Sequence, residues 1–174
     1  MEALHVLKKR RSMRAYRNEQ IRDDQLDAIL EAGTYAPTGM GKQSPCMVVV
    51  QDAALIKRLS RMNAAVMGTD NDPFYGAPTV VIVFGNPTVA RTWLEDGALV
   101  MGNLMNAAFA VGVDSCWIHR AKEMFLSDEG KELMREWGVP EECVGIGNCI
   151  LGYATTPVPD PRPRKENYII RVKG

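Results

Sequence analysis

The chain predicts an α+β fold, a central mixed or antiparallel sheet flanked by helices. Three observations carry this. Short apolar, β-branched runs at 46–50, 79–84, 114–118 and 144–151 have the length of buried strands. Longer stretches at 52–67 and 92–111 read as helices. The helices and strands do not alternate as βαβ units, so a parallel doubly wound sheet is not expected.

Taken in order, residues 2–9 form a short helix with Leu4 and Leu7 on one face. Asp23 or Asp24 caps a second helix carrying Leu26, Ile29 and Leu30, which ends near Gly33–Ala36, before Pro37. Pro37 to Pro45 is rich in turn formers and forms a loop. The strand Cys46–Val50 follows, then a helix from Asp52 to about Met67, a loop at 69–77 and the strand Thr79–Phe84. The long helix from about Thr92 to Val111 mixes Gly97, Ala98, Gly102, Ala107, Ala108 and Ala110 with large apolar residues. A glycine inside a helix costs about 1 kcal/mol relative to alanine, so close approach of another backbone, within the chain or from a second subunit, is expected there. Asp114–Ile118 is a strand, 128–137 a helix and Val144–Leu151 a strand; 157–163 is extended, and Tyr168–Val172 is a final strand. No linker or repeat is visible, and residues 1–174 are expected to form one domain.

Composition excludes several functions. The 21 cations and 21 anions cancel, which argues against a chain-wide nucleic-acid or membrane footprint. No apolar run is long enough to span a bilayer, and the start of the sequence lacks the apolar stretch of a signal peptide, so a cytoplasmic protein is expected. The four cysteines show no CxxC spacing and read as buried free thiols in a reducing compartment. His5 and His119 are the only histidines and lie far apart, so no metal site is expected.

Charge is nevertheless concentrated. Residues 8–17 hold six cations in ten positions, and Arg162-Pro163-Arg164-Lys165 forms a second group near the other end. Guanidinium forks match phosphate oxygens in pairs. Arg10, Ser12, Arg162 and Arg164, brought together by folding, would suit a phosphate-bearing ligand. The competing reading is a solvated basic face, which suits Lys9 and Arg17 equally well.

Four segments in order resemble one family. Arg10-Arg11-Ser12-Met13-Arg14-Ala15-Tyr16 is similar to the opening motif of the nitroreductase-like flavoproteins, and Tyr35-Ala36-Pro37-Thr38-Gly39-Met40 with Gln43 and Pro45 to their Ala-Pro-Ser/Thr loop. Gly112-Val113-Asp114-Ser115-Cys116-Trp117-Ile118 resembles the turn and strand after their long helix, and Arg162-x-Arg164 their closing basic pair. The resemblance covers essentially the whole chain. It implies an intertwined homodimer with FMN at the subunit interface and NAD(P)H as a transient electron donor. The long helix would form the dimer core.

By position, the resemblance places Arg10, Arg11, Ser12 and Arg14 of one subunit at the flavin, with Arg162 and Arg164 at its phosphate. Pro37, Thr38, Gly39 and Gln43 would come from the other subunit. Trp117, Ile118, His119 and Arg120 fall at the flavin face, with the backbone N–H groups of His119 and Arg120 near N5. Arg14 is the candidate for the negative charge of reduced flavin at N1–C2=O. No side chain acts as nucleophile, because the chemistry belongs to the cofactor. The implied activity is a ping-pong NAD(P)H oxidoreductase acting on nitroaromatic or quinone-like acceptors. The alternatives are a flavin-binding or storage module without efficient turnover and a related reductase or dehalogenase. Gly41 stands where many relatives have asparagine, and no aromatic follows Pro45. Phe74 and Tyr75 are secondary candidates for the pocket mouth, the resemblance puts Asn71 in a segment that can contact the flavin ring, and Cys116 reads as packing.

Overall fold

A computed structural model describes residues 2–173. Its elements are α1 (Ala3–Lys9), α2 (Asp23–Thr34), β1 (Pro45–Val50), α3 (Ala53–Met67), β2 (Thr79–Gly85), α4 (Trp93–Ala110), β3 (Asp114–Ile118), α5 (Ala121–Leu126), α6 (Asp128–Glu136) and β4 (Val144–Gly152). The four strands form one wholly antiparallel sheet in the order β1-β2-β4-β3. An isolated parallel bridge joins Ser12 to Ser115 beside β3.

The sheet divides the core because alternate side chains leave a strand on opposite faces. From β2, Val80, Ile82 and Phe84 enter one cluster with Leu59 and Met62 of α3, Met124 and Phe125 of α5 and Leu133 of α6. Val81 and Val83 enter the other, with Ile29 of α2 and Met101 and Leu104 of α4. Both faces of β2 are covered, which explains the unbroken apolar run Val80–Phe84.

Local signals set the helix ends. Asp52 Oδ1 accepts from Leu55 N at 2.7 Å, and Gly68 closes α3 with φ +70°. Ser127 Oγ accepts from Gly130 N at 3.0 Å to start α6. The expected cap of α2 by Asp23 or Asp24 is corrected. Both aspartates lie inside the first turn, Arg22 occupies the cap position, and Arg22 N donates to Gln25 Oε1 at 3.3 Å. Asp24 instead pairs with Arg22, Nε to Oδ1 at 2.9 Å.

Three further expectations change. Gly97 is approached not by a backbone but by Ile146, whose Cδ1 would lie 1.9 Å from an added Cβ. Helix α5 was not expected; its six residues are too few for a periodic pattern to register. Tyr168–Val172 is not a strand, because β propensity needs a neighbouring strand to pair with and this segment has none among the described residues. Every residue from Thr155 to Lys173 is exposed, Ile170 and Val172 to 84% and 93%.

Candidate functional site

The first group of site residues is the segment following α1. Met13 N donates to Ser115 O at 3.0 Å and Arg17 N to Tyr153 O at 2.8 Å, which lays this segment against β3 and the end of β4. Tyr16 OH donates to Met13 O at 2.9 Å; burial of the phenol pushes its pKa well up, so it stays neutral. Arg14 is exposed, whereas Arg10, Arg11 and Ser12 are half-buried. The Arg11 guanidinium turns back onto the end of α1, bonding Lys8 O at 2.6 Å and also Arg10 O. That leaves Arg11 Nε and Arg10 Nη1 buried with no acceptor among the described residues. A buried guanidinium donor without a partner is costly, and an anion would satisfy it.

The second group is the loop between α2 and β1, and its anchor is Asp96 of α4. Asp96 Oδ1 accepts from Gly39 N at 2.9 Å and Oδ2 from Ser44 Oγ at 2.8 Å. Burial alone would raise this carboxyl, but the bonds from Gly39, Ser44 and Thr92 outweigh it and hold the pKa below its ordinary value. Gln43 N donates to Thr38 Oγ1 at 3.1 Å, closing the loop on itself. The left-handed positions are Met40, Gly41 and Gln43, at φ +57°, +66° and +51°. Gly39 is needed for another reason: a Cβ there would lie 2.1 Å from Thr92 Oγ1. Pro37, Met40 and Gln43 are exposed.

The third group is the end of β3. Ile118 is buried, but Trp117 points to the opposite face of the sheet, its indole packed on Gly147, and Nε1 has no partner among the described residues. His119 is exposed, and Arg120 takes the left-handed conformation at φ +75°. His119 O accepts from Asn63 Nδ2 at 2.7 Å, and Arg120 Nε donates to Asn63 Oδ1 at 3.1 Å.

The bridge from Ser12 to Ser115 therefore brings the first and third groups to the same edge strand. The closing arginines stand apart from them: Arg162 and Arg164 lie in the exposed tail, where Arg164 Nη2 donates to Arg162 O at 2.6 Å. Asp96 and Asn63 were missed from the sequence. Asp96 looks like an ordinary first-turn acid beside Glu95, and a polar residue at helical spacing in α3 carried no signal for Asn63. A cleft of about 970 Å³ lies on another flank of α3, lined by Gln20, Gln51, Lys57, Arg61, Asn71 and Phe74 among others. Phe74 is core there, 1% exposed, and Tyr75 is exposed at φ +54°. No helix is long and apolar enough to cross a membrane, and no group of three or more His, Cys, Asp or Glu could hold a metal ion, among the described residues.

Comparison with known proteins gives a consistent result. Residues 7–69 match the Nitroreductase family. A nitroreductase from Bacteroides fragilis, solved with bound FMN, is 32% identical and superposes with a TM-score of 0.90 over 99% of this chain and 100% of that one. A protein of Archaeoglobus fulgidus provisionally named NADH dehydrogenase/NAD(P)H nitroreductase is 27% identical over 172 residues, 96% of this chain and 90% of its own length. An FMN reductase [NAD(P)H] of Bacillus subtilis is 31% identical over 114 residues, 66% of this chain and 45% of its own. Similar from end to end to a solved nitroreductase and built from the same fold, the chain belongs to the nitroreductase family.

Proposed function

We propose that this chain is one flavin-binding domain that acts, as a homodimer, as an FMN-dependent NAD(P)H oxidoreductase on nitroaromatic or quinone-like acceptors. The observation that carries this reading is the pair of buried guanidinium donors, Arg10 Nη1 and Arg11 Nε, that lack any acceptor in the described chain. They fit a phosphate, and the similar Bacteroides fragilis protein holds FMN. When bound, FMN supplies two-electron transfer between a nicotinamide and an acceptor.

The chain's own residues bind, orient and exclude. Arg10, Ser12 and Arg14 would hold the phosphate and the polar chain leading to it, Arg11 adding its buried Nε. Arg162 and Arg164 lie in the exposed tail, and we place them at the phosphate once the tail is fixed in the dimer. The loop carrying Pro37, Thr38, Gly39 and Gln43, pinned by Asp96, would cover the ring of the partner subunit's flavin. Gly102 of α4, which faces open space, and the half-exposed Leu94 and Leu99 suit a helix buried against its copy. Trp117, Ile118, His119 and Arg120 would border the flavin face, the first through its backbone because its indole lies on the other side of the sheet.

The test is the absorption spectrum of the purified protein, with chromatography of the flavin it releases, followed by Arg10→Ala combined with Arg164→Ala. The wild type should carry FMN, and the double variant should bind it at least 10- to 100-fold more weakly, about what the loss of charge-assisted hydrogen bonds removes. Retained affinity in the variant would remove the phosphate assignment. A wild-type protein that takes up no added FMN would overturn the function.

A further inference from the structure

The turn between β3 and α5 is gripped by two fully buried carboxamides. Asn148 of β4 donates Nδ2 to Ile118 O at 3.3 Å, and Asn63 of α3 donates Nδ2 to His119 O at 2.7 Å. Both Nδ2 atoms also face Met124 Sδ, at 3.6 and 3.2 Å. Asn63 Oδ1 accepts from Arg120 Nε at 3.1 Å, so one side chain holds two consecutive residues. Both asparagines are 0% exposed.

What they hold is unfavourable by itself. Arg120 sits at φ +75°, which disfavours any residue with a Cβ by about 1–2 kcal/mol. Such a conformation persists only where its surroundings over-determine it. The grip also fixes direction. In a trans peptide the C=O of one residue and the N–H of the next point opposite ways. With the Ile118 and His119 carbonyls drawn to buried carboxamides, the N–H groups of His119 and Arg120 are turned the other way. Neither donates to a backbone acceptor among the described residues.

We propose that Asn63 and Asn148 are positioning residues that hold the His119 and Arg120 N–H groups as a fixed donor pair toward flavin N5, and thereby set the potential of the cofactor. The inference rests on the function proposed above. Oxidised flavin offers a lone pair at N5; after reduction N5 carries hydrogen and accepts less well. A donor held rigidly at N5 therefore binds the oxidised form more tightly than the reduced form and keeps the potential low. Loosening the turn should weaken oxidised FMN selectively and raise the potential.

The test uses FMN-loaded full-length protein and two substitutions. Asn148→Leu removes the donor to Ile118 O. Asn63→Ala removes the donor to His119 O together with the acceptor for Arg120 Nε, adds no charge, and serves if the leucine variant does not fold. Oxidised FMN affinity is read by fluorescence quenching and the midpoint potential by equilibration with a reference dye. We expect oxidised FMN to bind about tenfold more weakly with reduced FMN little changed, a rise in potential of about 30 mV for a two-electron couple. Equal weakening of both forms, or an unchanged potential, would overturn the proposal, since a merely loosened fold loses both alike. A wild-type protein without FMN affinity would fail before any variant is made, and would overturn the function and this inference together.

Discussion

Asp96 concentrates in one carboxylate what holds the Thr38–Ser44 loop in place. Replacing it with asparagine keeps one oxygen acceptor but turns an amide toward the other donor. We expect Asp96→Asn to cost about 1–3 kcal/mol, read as a lower urea midpoint with unchanged slope. Because its folded pKa is depressed, its contribution is complete above the unfolded value of about 3.9 and is lost as pH falls through the folded one. The thiols behave oppositely. Burial pushes Cys46 and Cys149 up to about 12, and raises Cys143 as well. The unfolded chain ionises first, so stability is complete below about pH 8.5 and falls as pH rises from there toward the folded values. Denaturation midpoints at pH 8 and 10, under reducing conditions, should show this decline; substitution of Cys149 by alanine should flatten it.

At the scale of elements, the contact between β4 and α5 leaves no room for a side chain. A Cβ on Gly145 would lie 2.5 Å from Ala121 O, a backbone atom that cannot step aside alone. Gly145→Ala should destabilise by about 1–3 kcal/mol as an overpacked site, and should disturb the neighbouring Arg120 turn as well, seen as weaker FMN binding. Gly97→Ala meets only the tip of Ile146 and should be milder in the same denaturation assay. The sequence was a good guide where an element carries its own signal. The strand at Thr79, the helix capped by Asp52 and the order of the four sheet strands could be read directly. It was a poor guide where the signal is tertiary. The placement of Asp96 and Asn63 depends on loops distant in the chain, α5 is too short to show a period, and the glycine at 39 answers to Thr92 rather than to a turn. The Tyr168–Val172 segment has strand residues without a strand beside it.

For the whole molecule, the exposed tail and the outer face of α4 lead to one expectation. If the dimer proposed above completes the flavin site, sedimentation should give twice the chain mass, and removing residues 155–173 should lower FMN affinity along with dimer stability. A sedimentation value of one chain mass with full FMN affinity would argue against a shared site. The sheet order carries a different consequence, for how the chain reaches this state. β4 is the last strand in sequence yet lies inside the sheet, between β2 and β3. Until residues 144–152 insert, β3 has no strand neighbour, and one edge of β2, with its apolar run Val80–Phe84, is open. Non-local pairing of this kind forms slowly, and open apolar edges invite association with other chains. Synthesis from the N-terminus therefore leaves a sticky half-sheet waiting for its keystone, and the yield of native protein should depend on temperature and chaperone supply during that interval more than on the stability of the finished fold.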